Sequence, residues 1–137
     1  VYKRQADGLA FDVLRKLLIP AYILSTEINP VVTARAKKLK IPAIQGANDK
    51  VDVIRKLSKK EGFVLRKILY VGNDLNDYRV MQLCGYTACP SDSHHTIKKL
   101  LTIILKTSGG NGIVSEMLEE VFKLNFITIL YPEKEAI

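Results

Sequence analysis

The chain has little cysteine, no long apolar run and few aromatic residues, and each shortage removes a class of function. Cys84 and Cys89 are the only two cysteines in 137 residues. They sit among apolar neighbours without a metal-ligand spacing. The expectation is therefore two buried, reduced thiols in a cytoplasmic protein. No apolar run approaches the ~20 residues that span a bilayer, and the first residues lack the apolar stretch of a signal peptide. No membrane association is expected. Aromatics make up 7% of the chain and are not interleaved with its basic residues. The net charge of +7 thus arrives without a nucleic-acid motif, and no nucleic-acid partner is expected. Lys37, Lys38, Lys56, Lys59, Lys60, Lys98 and Lys99 fall at helical spacings that read as solvated faces. An attraction for small anionic substrates is compatible with this charge.

What remains is one domain with enough apolar content for a single core. Its apolar pattern alternates between two periods. "DGLAFDVLRKLL" predicts a helix with Leu9, Val13, Leu14 and Leu17 on its inner face. "PAYILS" predicts a strand. "NPVVTARAKKLK" predicts a helix capped by Asn29, with Pro30 at its first position. "IPAIQG" is a strand, and "NDKVDVIRKLSKKEG" a helix stopped by Gly62. "KILYVG" predicts the central strand, followed by a helix over "DLNDYRVMQLCG" that ends at Gly85. "YTACP", "SHHTIKKLL" and "TIILK" read as strand, short helix and strand. "SGGNG" is a turn and "GIVSEMLEEVFKL" an amphipathic helix. "NFITILYPEKEAI" fits an added strand or a loose tail. Strands alternating with helices imply right-handed crossovers, and so an α/β, Rossmann-like parallel sheet with helices on both faces.

In such sheets ligands gather beyond the carboxyl ends of the strands. Ser25 and Thr26 follow the first strand, Asn48 to Lys50 the second, and Asn73, Asp74 and Asp77 the third. A hydroxyl, an ammonium and a carboxylate cluster are thereby expected at one rim. Clustered carboxylates repel and favour a cation. An all-oxygen set suits Mg²⁺, while the lysine and hydroxyl suit a phosphoryl group. The chemistry that fits is Mg²⁺-assisted phosphoryl transfer. Local readings stand beside it. Ser25 and Thr26 also suit a turn before Pro30, Asp74 and Asp77 suit a helix start, and His94 and His95 suit another.

The order hydroxyl, lysine, then G-[D/N]-D-x-x-D resembles that of haloacid-dehalogenase-type phosphatases. Within them the chain resembles the capless 3-deoxy-D-manno-octulosonate 8-phosphate phosphatases and the phosphatase-like domain of acylneuraminate cytidylyltransferases. "AYILSTE", "QGANDK", "YVGNDLNDYRVMQLCG", "CPSDSHH" and "GGNGIVSEMLEE" carry the likeness, which runs essentially from Asp7 to Phe122. The resemblance implies Ser25, with Thr26 beside it, as the phosphoryl-binding hydroxyl, and Lys50 as the lysine that neutralises phosphate. It puts Asn73 at the metal-binding acid, Asp77 at the supporting acid and Asp74 between them. Gly109, Gly110 and Gly112 match a glycine turn near the rim. It further implies Mg²⁺, a phosphorylated 2-keto-3-deoxy sugar acid as substrate, a phosphoaspartate intermediate and a homotetramer.

There are three departures. Asn73 is an amide where an acid is usual, Ser115 stands where plainer phosphatases carry arginine, and the D-x-D-G segment with the family's nucleophile is absent. "VYKRQ" resembles translated sequencing-adapter read-through. Residues 1–5 are therefore expected to be an artefact, 6–124 an incomplete phosphatase domain lacking its first strand, and 125–137 a tail. The 137 residues alone are expected to be inactive and poorly folded. The alternative is the C-terminal oligomerisation module of an acylneuraminate cytidylyltransferase.

Overall fold

The computed structural model describes residues 7–100, 102–109 and 112–132. They fall into two compact units, one made by the described residues up to Gly46 and from 112 onward, the other by Ala47–Gly109. Five strands and seven α-helices alternate along the described chain, and every strand pairing is parallel. The architecture is α/β, as the alternating periods predict.

In the first unit, α1 (Gly8–Lys16) leads to β1 (Ile23–Leu24), α2 (Pro30–Leu39) and β2 (Ala43–Ile44). Strands β1 and β2 pair with Ile23 opposite Ala43. Asn29 caps α2 by accepting from Val31 N at 2.8 Å, and Pro30 opens the helix as expected. The buried face of α1 differs from the expected one. Ala10 and Val13 are fully buried, whereas Leu9 and Leu17 are exposed. The reason lies in what covers the helix. Leu118, with Val114, Leu124, Phe126, Ile129 and Leu130, packs against Ala10, Val13 and Leu14.

Those partners come from α6 (Ile113–Glu116), the π-helical turn Met117–Val121 and α7 (Phe126–Leu130), with Leu124 in the link before α7. Residues 126–130 are thus neither strand nor loose chain. Asn125 caps them through Thr128 N at 3.0 Å, and their apolar side chains complete the core around α1. At the other end of α1, Asp7 does not cap its own helix. Its Oδ1 instead accepts from Ser115 N at 3.0 Å.

The second unit holds α3 (Lys50–Glu61), β3 (Leu69–Val71), α4 (Tyr78–Leu83), β4 (Tyr86–Cys89), α5 (His95–Lys98) and β5 (Ile103–Ile104). Gly62 ends α3 with φ 76°, in agreement with the sequence. The sheet order is β3-β4-β5. Strand β4, not "KILYVG", is the middle strand of this sheet, and Thr87, Ala88 and Cys89 are all buried. Two 3₁₀ turns, Leu65–Lys67 and Leu75–Asp77, flank β3 and shorten both it and α4 relative to expectation. Cys84 and Cys89 are buried and free, and burial raises both thiols, Cys84 to about 11. Neither has the lowered pKa of a reactive cysteine. No helix among the described residues is long and apolar enough to cross a membrane.

Candidate active site

Strand β3 ends at Val71, and Gly72 turns the chain into the loop that carries Asn73, Asp74 and Asp77. A side chain at Gly72 would put its Cβ 2.7 Å from Asp77 Cβ and 2.8 Å from Met81 Sδ. The glycine therefore lets the loop fold back over Asp77. Asp74 accepts from Leu75 N at 2.7 Å and opens the 3₁₀ turn, while Asp77 reaches back in a capping box. His94, at the start of α5, donates its backbone N–H to Asn73 O at 2.9 Å and pins the loop from its far side.

Asp77 is the hub. Its Oδ1 accepts from Lys50 Nζ at 2.8 Å and from the Tyr70 hydroxyl at 2.6 Å. Its Oδ2 accepts from the backbone N–H groups of Asn73 at 3.0 Å and Asp74 at 3.3 Å. Only 10% of the Lys50 side chain and 5% of the Asp77 side chain are exposed, so this is an ion pair inside the protein. Burial alone would raise the Asp77 carboxyl. The hydrogen bonds from Lys50, Tyr70 and Asn73, with the lysine charge, outweigh it and hold the group below the usual carboxylate range. Burial, then the bond to Asp77, pushes the Tyr70 hydroxyl far up, so it remains a donor. Lysine at the first position of a helix is mildly unfavourable. Here Asp77 compensates that cost and fixes the ammonium.

Of the sequence-predicted residues, the structure brings Lys50, Asn73, Asp74 and Asp77 together in the second unit. Ser25 and Thr26 lie just past β1 in the first unit. Ser25 Oγ accepts from Glu27 N at 3.1 Å, a local turn contact, and Thr26 is exposed. His94 and His95 start α5 with stacked rings, and His94 Nδ1 accepts from Thr96 N at 3.1 Å. Of the glycine turn, Gly109 N donates to Asp92 Oδ1 at 2.9 Å and Gly112 precedes α6 with φ 88°. Gly110 lies outside the described residues. Tyr70 was not anticipated. Its one sequence signal is a hydroxyl inside an otherwise aliphatic strand, two residues before a glycine.

The loop's fit to Mg²⁺ is partial. Asn73 and Asp74 are exposed and offer an amide oxygen and a carboxylate oxygen, the hard donors this ion takes. Asp77 has its four acceptor positions filled, so it holds the loop and Lys50 rather than presenting free oxygens. Among the described residues no three His, Cys, Asp or Glu side chains form a metal cage. Asn73 and Asp74 would hold one side of such an ion, which takes waters and phosphate oxygens alongside one or two carboxylates.

The chain matches the haloacid dehalogenase-like hydrolase family over residues 22–117, well over half its length. It belongs to this family. Among its relatives is the 3-deoxy-D-manno-octulosonate 8-phosphate phosphatase of Haemophilus influenzae, 26% identical over 85% of this chain and 66% of that protein. N-acylneuraminate cytidylyltransferase A of Danio rerio is 23% identical over 86% of this chain but only 28% of its own length. The chain thus spans less than two thirds of either relative. Its structure also superposes on the Moraxella catarrhalis 3-deoxy-D-manno-octulosonate 8-phosphate phosphatase, solved with a magnesium ion, a phosphate ion and KDO. That match has a TM-score of 0.82 and 28% identity, covering 94% of this chain and 75% of the other. Along this chain Lys50 follows β2, and the Asn73–Asp74 loop follows β3.

Proposed function

We propose that the whole protein is a Mg²⁺-dependent phosphatase of a phosphorylated 2-keto-3-deoxy sugar acid, of the 3-deoxy-D-manno-octulosonate 8-phosphate or acylneuraminate 9-phosphate class, serving surface-glycan synthesis in the cytoplasm. The observation that carries this reading is the Lys50 ammonium, held at 2.8 Å by a buried carboxylate beside the Asn73–Asp74 loop. A lysine so fixed is preorganised for a phosphoryl group and costs little reorganisation when one arrives. Lys50 would bind and neutralise the phosphate, and Asp77 would hold it in place. Ser25 and Thr26 would donate hydroxyl hydrogen bonds to the phosphoryl oxygens. Asn73 and Asp74 would face a magnesium ion, which when bound adds charge neutralisation at the same oxygens. An aspartate of a D-x-D-G strand ahead of the domain at 6–124 would attack phosphorus, and water would then hydrolyse the phosphoaspartate. A homotetramer fits this reading.

The test is phosphate release from 3-deoxy-D-manno-octulosonate 8-phosphate by the product of the whole reading frame. Release should need Mg²⁺ and fall by at least about 100-fold in Lys50→Ala, the scale of one lost electrostatic contact to the transition state. A Lys50→Ala protein as active as the parent would refute the assignment. Asn73→Asp adds a charge to the metal side of the loop, and the half-saturating Mg²⁺ concentration should drop roughly tenfold. An unchanged Mg²⁺ dependence would remove Asn73 from the ligand set.

A second reading is supported by the G-N-D form at Gly72–Asp74 and by the cytidylyltransferase relative. In it the domain is the C-terminal oligomerisation module of a larger enzyme. A nucleotidyltransferase domain of ~200 residues upstream in the same frame would decide for it.

A further inference from the structure

Beside Lys50 lies a cavity of about 590 Å³, between the first turn of α3 and the stretch from Leu75 to Val80. Asn48, Asn76, Tyr78, Arg79 and Thr96 line it together with Lys50. Its volume falls in the range of small-molecule sites, about 300–1,000 Å³. The walls divide by chemistry. Amides and hydroxyls offer neutral hydrogen bonds of the kind a polyhydroxylated chain takes. Asp49, the one acid on the wall, turns its Oδ1 to Asp52 N at 3.1 Å in its own helix. Lys50 is engaged by Asp77. The Arg79 guanidinium has no hydrogen-bond or ion-pair partner among the described residues.

Many surface arginines are simply solvated. Arg79 differs in lining the same cavity as Lys50, the one lysine among the described residues that is both buried and ion-paired, so a ligand anchored at Lys50 has Arg79 on the wall around it. The guanidinium fork matches a carboxylate bidentately, which neither the amides nor the hydroxyls of the wall can do. We infer that Arg79 is a specificity residue that takes the carboxylate of a phosphorylated polyhydroxy acid whose phosphate lies at Lys50. This rests on the phosphatase reading above and adds to it the group that separates sugar acids from neutral sugar phosphates.

Binding to the product of the whole reading frame tests this without relying on turnover. Two probes are titrated by calorimetry, inorganic phosphate and 3-deoxy-D-manno-octulosonate without its phosphate. Arg79→Ala should weaken the sugar acid at least tenfold and leave phosphate within twofold, the loss of a charge-assisted pair. Lys50→Ala should show the reverse pattern. Arg79→Lys keeps the charge without the fork and should recover only part of the sugar-acid affinity. Because Arg79 is exposed and unengaged, its variants should melt with the parent. A sugar acid that binds Arg79→Ala as it binds the parent, while phosphate still depends on Lys50, overturns the role of Arg79 and leaves the phosphatase reading standing. Phosphate affinity indifferent to Lys50→Ala overturns that reading, and the role of Arg79 falls with it.

Discussion

Asp77→Asn is expected to cost about 3–5 kcal/mol of stability, the usual loss when one partner of a buried ion pair is removed. The magnitude follows from burial and from hydrogen-bond count. Two N–H groups, one hydroxyl and one ammonium donate to this carboxylate. An asparagine has a single oxygen to offer them. Its NH₂ group would point at donors, and Lys50 would be left charged and 10% exposed with no counter-ion. Against a typical total of about 5–15 kcal/mol, such a loss is severe. Urea unfolding of the parent and variant measures it. Lys50→Met combined with Asp77→Asn removes the stranded charge, so the double variant should lose clearly less than the sum of the two single ones. Additive losses would mean that the two side chains do not act as a pair.

The same carboxylate sets an acid-side pH dependence. Its folded pKa lies below the ordinary aspartate value of 3.8. A lowered carboxylate pKa means that the unfolded chain binds the proton more readily. The contribution of Asp77 is therefore complete above about pH 4 and is lost as pH falls through the folded value. The parent should lose stability over that acid range, and Asp77→Asn should show a shallower fall. An equal slope in both proteins would place the acid sensitivity elsewhere.

How much of this was legible in the sequence depends on the distance over which each feature is encoded. The helix starts and stops at Asn29, Pro30 and Gly62 are local signals, and they hold. The alternation of periods marks the α/β class because it is repeated along the whole chain. The Asn73–Asp77 cluster is visible because its members lie within five residues. Asp77 as a buried hub was not visible. Its partner Lys50 lies 27 residues away, and only packing reveals that Tyr70 on the strand points at the same oxygen. The buried face of α1 departs from the expected one for a related reason. Leu9 and Leu17 satisfy a helical period, but the cover supplied by residues 114–130 sits over Ala10 and Val13. An apolar period shows that a face exists, while the partner decides which residues it contains.

Gly85 carries the second large effect, through a close backbone approach rather than a helix end. The sequence suggests a glycine ending a helix. Instead α4 ends at Leu83 with an extended Cys84, and Gly85 lies where the chain passes the carbonyl of Arg66. A Cβ there would stand 1.7 Å from Arg66 O and 2.4 Å from its carbon, and a backbone carbonyl cannot swing aside as a side chain can. Gly85 N donates to Leu65 O at 3.0 Å and Tyr86 N to Ile68 O at 3.1 Å, so the β3–β4 ladder begins at this contact. Gly85→Ala is therefore expected to destabilise the protein by about 3 kcal/mol or more, at or beyond the top of the usual overpacking range. It should also weaken phosphate binding, because β3 delivers the loop that Asp77 anchors. Gly8→Ala is the matched control. A Cβ there meets nothing within 4 Å in the first turn of α1, and alanine should stabilise the helix by up to about 1 kcal/mol. The same substitution thus takes opposite signs at two glycines, which differ in whether backbone occupies the space a methyl group needs. A Gly85→Ala protein as stable as the parent would show that strands β3 and β4 do not meet at Arg66.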